Sequence, residues 1–272
     1  MKKIFISVLF VLSLTSQAFA AITTDFLFDL PFSEHTGLAY DDDHLYAYAQ
    51  QPDNVRKLTL VGDVVYDFVW GAGTMRGFEF INNELYGVGG LAARDYKIFL
   101  FNEADGSIVS SFRGRLGDVG IAQVGNEIYV LNVEGGIAPN RYYDLHIYDR
   151  GFNFVRSIRT NLLSEGTTSG FTAIGTDLFI SINDSTYLWK LDATTGLIAD
   201  SYFLPFATGI QNRGAAGLAN DGSNIYMATT SHGMWKIGFN GSGQNTNAIP
   251  EPSTLILLGT GLLGLLFVRW KR

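Results

Sequence analysis

Short apolar stretches and glycines recur together along this chain at a fixed period. Five segments, GLAYDDDHLY (37–46), GFEFINNELY (77–86), GIAQVGNEIY (120–129), GFTAIGTDLF (170–179) and GLANDGSNIY (217–226), share one design. Each runs from a glycine through apolar positions and a polar break to Leu or Ile and then an aromatic, with nine residues from glycine to aromatic in every copy. Two apolar runs around a polar break read as antiparallel strands joined by a tight turn. A second marker keeps the same period. Gly62, Gly106, Gly151, Gly196 and Gly241 follow one another at 44, 45, 45 and 45 residues, several of them in hairpin dipeptides such as Gly62-Asp63 and Asp105-Gly106. Each unit therefore predicts strand A, tight turn, strand B, variable loop, strand C, glycine turn and strand D, and no long helical periodicity competes.

Four antiparallel strands in about 45 residues is the size of a β-propeller blade. Five such units fill residues 21–241 and predict an all-β, five-bladed propeller. The last unit has no strand D of its own, because MWKIGFN (234–240) runs straight into the polar stretch 242–249, which reads as a linker. DFLFDLPF (25–32) precedes the first strand A and resembles the D strand ADSYFLPF (199–206). The N-terminal strand is thus expected to close the last blade and remove an exposed edge. LWKLDATTGLI (188–198) resembles the short repeats of quinoprotein-like secreted propellers, in that one blade only; the Trp-Asp signature of WD40 repeats is absent.

The two ends carry addresses. Lys2 and Lys3, the apolar stretch 4–14 and Ala18-Phe19-Ala20 predict a signal peptide over residues 1–20, cleaved by signal peptidase before Ala21. The chain closes with Pro250-Glu251-Pro252, an apolar run of 14 residues from Leu255 to Val268, and the cluster Arg269, Trp270, Lys271, Arg272. Fourteen residues fall short of the roughly 20 that a bilayer-spanning helix wants. Linker, Pro-Glu-Pro, short apolar helix and basic end resemble the PEP-CTERM sorting signal of Gram-negative bacteria, over residues 250–272. That resemblance implies recognition of Pro250, Glu251 and Pro252 by an exosortase-type membrane protease. It also implies a transmembrane helix that anchors only transiently, then release to the cell surface or an extracellular polysaccharide matrix.

Without the two ends the body holds 25 acidic and 14 basic side chains, a net charge of −11, which argues against a nucleic-acid partner. There are no cysteines, hence no disulfide framework and no thiolate chemistry. No cofactor motif is present. The histidines His35, His44, His146 and His232 show no zinc spacing, and Asp41-Asp42-Asp43-His44 reads as a turn former, so no metal site is expected.

In an up-and-down blade the A–B and C–D turns share one face of the ring, and the B–C loops and blade crossings share the other. Function tends to sit on variable loops over a rigid scaffold. Glu34, His35, Arg76, Asp118 and Arg213 fall in the crossings and are expected at the channel mouth, without a recognisable catalytic arrangement. ARDYKIFLF (93–101) and NRYYDLHIY (140–148) align without gaps in adjacent blades. They make Arg94, Tyr96, Arg141, Tyr142 and Tyr143 a candidate ligand platform, since arginine and tyrosine suit sugar hydroxyls, carboxylates and ring faces. The leading expectation is an exported binding protein for carbohydrate, such as an exopolysaccharide, or another envelope component. A hydrolase or lyase at the channel mouth and a purely structural matrix protein are the alternatives.

Overall fold

The B strand of each unit is apolar on both faces, which obliges it to lie between two neighbouring layers. A computed structural model shows how the chain meets that demand. It describes residues 22–30, 35–49, 54–69, 74–90, 96–134, 141–164, 169–182, 185–207, 215–229 and 233–239. The expected signal peptide, the linker, the Pro-Glu-Pro segment and the apolar C-terminal helix lie outside the described residues.

Strand β1 (Ile22–Asp29) comes first. Blade one follows as β2 (His35–Tyr40), β3 (His44–Ala49), β4 (Asn54–Thr59) and β5 (Val64–Val69). Blade two is β6 (Thr74–Ile81), β7 (Glu84–Gly90), β8 (Tyr96–Phe101) and β9 (Ile108–Arg113). Blade three is β10 (Asp118–Val124), β11 (Glu127–Glu134), β12 (Arg141–Tyr148) and β13 (Phe154–Ser164). Blade four is β14 (Ser169–Ile174), β15 (Asp177–Ile182), β16 (Tyr187–Asp192) and β17 (Ile198–Phe203), and a 3-10 turn, Pro205–Ala207, leaves it. Blade five is β18 (Ala215–Asn220), β19 (Asn224–Thr229) and β20 (Gly233–Phe239).

All pairs are antiparallel, and the fifth sheet has the order β1-β20-β19-β18. The N-terminal strand therefore closes the ring, as the sequence predicts. It runs in register from Ile22 opposite Phe239 to Asp29 opposite Gly233, with a bulge between Phe26 and Phe28. Phe26 meets Trp235 edge to face, ring centroids 5.2 Å apart. The inner strands β2, β6, β10, β14 and β18 touch in sequence around the axis.

The apolar side chains form five clusters among the described residues, one at each junction between adjacent blades. Leu45 and Ala47 of β3 pack toward blade five, while Tyr46 and Tyr48 of the same strand pack toward blade two. The repeat glycines set how closely the inner strands approach. A Cβ on Gly77 would lie 2.7 Å from Gly120 Cα and 3.0 Å from Val119 O, and one on Gly120 would lie 2.5 Å from Phe171 Cβ. Only glycine permits a ring this tight. The glycine turns between strands C and D also form, with Gly62, Gly106 and Gly196 at positive φ. Blade three departs from the rule: there Phe152 takes the left-handed conformation (φ 58°), one residue beyond Gly151. Its ring is held by stacking on Phe112 at 4.3 Å, a contact that offsets the strain.

Candidate functional site: an acidic pocket at the ring axis

The A–B turns gather on one face around the axis. Asp42, Asn82 and Asn83 occupy the left-handed region there, at φ 74°, 53° and 63°. Asn and Asp tolerate that region better than other side chains, which explains their presence in tight turns. Between the turns of blades five, one and two lies a pocket of about 540 Å³. Tyr40, Asp41 and Asp42 line it from blade one, and Glu79, Phe80, Asn82, Asn83 and Glu103 from blade two. Asn220, Asp221 and Gly222 complete it from blade five.

Its floor carries Glu79 and Asn220, joined beneath into a chain of hydrogen bonds by the buried Thr172 of a third blade. Asn220 Nδ2 donates to Thr172 Oγ1 at 2.7 Å, and the Thr172 hydroxyl donates to Glu79 Oε2 at 2.9 Å. Thr172 stands on β14 and Glu79 on β6, two blades apart, so the chain crosses the axis. Glu79 is buried. Burial pushes its carboxyl up to about 8, with the Thr172 and Phe80 N–H hydrogen bonds pulling weakly the other way. At neutral pH Glu79 is therefore mostly an uncharged acid that can donate as well as accept.

The rim carboxylates behave differently. Burial alone would raise Asp41, but Lys57 Nζ at 2.9 Å, the Tyr46 hydroxyl at 2.9 Å and the backbone N–H groups of Asp43 and His44 outweigh it. They hold Asp41 below the usual carboxylate range. Asp221 repeats the device in blade five: burial raises it, while Asn224, the N–H of Ser223 and the Tyr226 hydroxyl at 3.2 Å bring it below normal. Lys236 Nζ lies 3.7 Å from Asp221. Two ionised, fixed carboxylates thus flank an uncharged one. Among the described residues no group of three or more His, Cys, Asp or Glu side chains is placed to hold a metal ion.

The crossing face is only partly described. Glu34, Arg94 and Arg213 lie outside the described residues, as do the side chains of His35, Arg141 and Tyr142. Arg76 lies in the first half of β6 and is half-buried. Asp118 does not line a channel mouth. Its carboxylate is fully buried beneath the crossing into blade three, where it accepts from Arg115 N at 2.6 Å and Asn132 Nδ2 at 2.8 Å. Tyr143 is likewise fully buried, in the cluster between blades three and four, and its ring is core rather than platform. Tyr96, in contrast, is half-buried and faces a surface cleft. His146 is buried with Nδ1 3.5 Å from Asp118 Oδ1.

Sequence reasoning missed the pocket floor, yet the signal was available. Two residues past the repeat glycine, three blades carry Ala39, Ala122 and Ala219, and the other two carry Glu79 and Thr172. A carboxyl at a position where the repeat wants alanine marks a site more surely than an exposed acidic run.

Comparison with known proteins adds an address. Residues 248–272 match the model of the PEP-CTERM protein-sorting motif. The chain carries a PEP-CTERM sorting motif. It is therefore exported and sorted to the cell surface of a Gram-negative bacterium by exosortase-type machinery. A comparison with curated protein sequences finds no match. Among solved structures the body is similar to Myxococcus xanthus glutaminyl cyclase, at 14% identity and a TM-score of 0.62, over 79% of this chain and 95% of that one. It is also similar to virginiamycin B lyase from Staphylococcus aureus, at 10% identity and a TM-score of 0.47, over 80% of this chain and 99% of that one. The likeness to the glutaminyl cyclase is one of fold.

Proposed function

We propose that this PEP-CTERM protein is a surface or matrix binding protein that holds a hydroxyl-rich ligand, a neutral glycan of the envelope or exopolysaccharide, in the axial pocket. The observation that carries the reading is the pocket floor. Glu79 and Asn220 offer an uncharged carboxyl and an amide, held in place by the buried Thr172 hydroxyl, and the rim adds fixed acceptors at Asp41 and Asp221. Alternating donors and acceptors of this kind match sugar hydroxyls, each of which both gives and takes a hydrogen bond. The acidic rim disfavours an anionic ligand at this face. In the same reading signal peptidase releases the chain before Ala21, and the apolar tail is a transient membrane handle until cleavage at Pro250-Glu251-Pro252.

The test is retention of the full chain on immobilised exopolysaccharide from its host, with and without Ca²⁺. The double variant Asp42→Gly/Asn83→Gly strips the pocket wall while keeping the left-handed turn conformation and the core, and retention should weaken at least tenfold. Equal retention of parent and variant would remove the axial pocket from the account.

One observation favours a second reading, an exported hydrolase or lyase. A carboxyl kept protonated near pH 7 at the foot of a polar pocket is suited to general acid catalysis. New reducing ends or unsaturated products from the exopolysaccharide, lost in Glu79→Gln, would select it over simple binding.

A further inference from the structure

A second cleft, of about 770 Å³, lies at the junction of blades two and three, away from the axial pocket. Tyr96 and Arg113, the last residue of β9, line it from blade two, and Arg115 from the crossing between the blades. Tyr148, Phe152 and Phe154 line it from blade three. The Arg115 guanidinium lies over the Phe154 ring, 4.1 Å from its centroid. Phe154 is 45% exposed, a large apolar ring held open to solvent. Among the described residues no carboxylate forms an ion pair with Arg113 or Arg115. The nearby carboxylate of Asp118 takes the backbone N–H of Arg115, not its guanidinium.

The crossing that carries Arg115 is fixed from beneath. Gly114 N donates to Tyr96 O at 3.0 Å, Asp118 N to Arg115 O at 3.2 Å, and Val133 N to Gly117 O at 2.9 Å. Asn132 Nδ2 bridges Leu116 O and the buried Asp118 carboxylate. The Arg115 side chain also hydrogen-bonds the Tyr148 hydroxyl within the cleft. A guanidinium on a braced loop, with its face against an aromatic ring and one side turned to a tyrosine, still has N–H groups to offer a planar anion and loses little entropy on binding one. In a body of net charge −11, a cation without a carboxylate partner among the described residues is completed by a ligand carrying the opposite charge.

We propose that this cleft binds a carboxylated sugar unit of an acidic polysaccharide. The sugar carboxylate sits against the edge of Arg115, and the C–H face of the pyranose lies on Phe154 and Tyr96. Aromatic rings with one apolar face and a polar edge suit that contact. Surface sorting exposes the cleft to polymers outside the cell. The proposal rests on different residues and the opposite charge preference from the axial pocket, so either can fail alone.

The experiment is calorimetric titration of the full chain in detergent with a trigalacturonate, its methyl ester and free galacturonate. The trimer should bind, the ester at least tenfold more weakly, and free galacturonate more weakly than the trimer because it lacks the neighbouring rings. Binding of the trimer should fall at least tenfold in Arg115→Ala and also in Phe154→Ala, and should weaken as salt is raised. Lys190→Ala, which removes one positive charge on blade four, should bind as the parent does. Unchanged melting of Arg115→Ala, whose side chain is exposed, would separate lost binding from lost folding. Absence of trimer binding at millimolar concentration, equal binding of trimer and ester, or full binding by a folded Arg115→Ala variant would overturn the proposal.

Discussion

Thr172 gives its hydroxyl hydrogen to Glu79 at 2.9 Å from two blades away, so a single hydrogen bond joins β14 to β6 across the ring axis. Around that bond the carboxyl is buried and carries its proton to about pH 8. That burial ties stability to pH.

The sign follows from linkage. Unfolding returns Glu79 to an ordinary carboxyl of pKa 4.5, so between that value and about 8 the folded chain holds a proton that the unfolded chain has lost. The stabilisation is complete below pH 4.5 and is lost as pH rises through 8. Carboxylates held low, such as Asp41 and Asp221, are ionised in both states over pH 5–9 and add no slope there. The melting temperature of the parent should therefore fall from pH 5 to pH 9. Glu79→Gln keeps an acceptor for Thr172 and should flatten most of that fall, melting above the parent at pH 9. An unchanged slope would mean that Glu79 does not hold its proton.

Gly77 is the tightest test of the ring itself. Its absent Cβ would sit 2.7 Å from a backbone atom of the next blade, which cannot move aside as a flexible side chain can. Gly77→Ala should cost about 1–3 kcal/mol by overpacking, read as a drop in denaturant midpoint at constant slope. A variant within a few tenths of a kcal/mol of the parent would show that the inner strands are looser than described.

Ring closure by β1 makes the N-terminus part of the core architecture. Deleting residues 22–29 leaves β20 as an open edge and uncovers Trp235. Aggregation or a fall of more than about 10 °C in melting temperature is expected, since an unpaired apolar edge invites pairing with other chains. Parent-like melting by a monomeric deletion variant would contradict the closure.

The architecture was legible because it is written five times. The nine-residue spacing from Gly37 to Tyr46 and its four copies places strand A at the axis and strand B between blades, and the missing D strand of blade five points to the N-terminus. The site was less legible, for a physical reason. Tyr96 and Tyr143 occupy equivalent positions in aligned segments, yet Tyr143 is fully buried between blades three and four while Tyr96 borders a cleft. Alignment of repeats fixes strand position, and what packs against each position differs from junction to junction. Asp118 shows the same limit: expected in a crossing at the channel mouth, it instead starts the inner strand β10, with its carboxylate turned inward to brace a loop. Glu79 escaped notice because it sits in an apolar run, where a lone carboxyl is costly unless something uses it.

The sorting motif predicts processing. Replacing Pro250, Glu251 and Pro252 with alanine should leave uncleaved chain in the inner membrane of an exosortase-bearing host. Mass spectrometry of surface-released wild-type protein should find it ending upstream of Arg272. Released protein with Arg272 intact would mean that the tail is not removed.

The central claim, that ligand is held at the axis on the turn face, is tested most directly by hydrogen–deuterium exchange of the full chain with and without soluble neutral exopolysaccharide fragments. Binding should slow exchange in the turns at residues 41–43, 82–83 and 221–223, which surround the pocket. Slowing confined to the blade crossings and B–C loops, or no slowing in those three turns at saturating fragment, would contradict it.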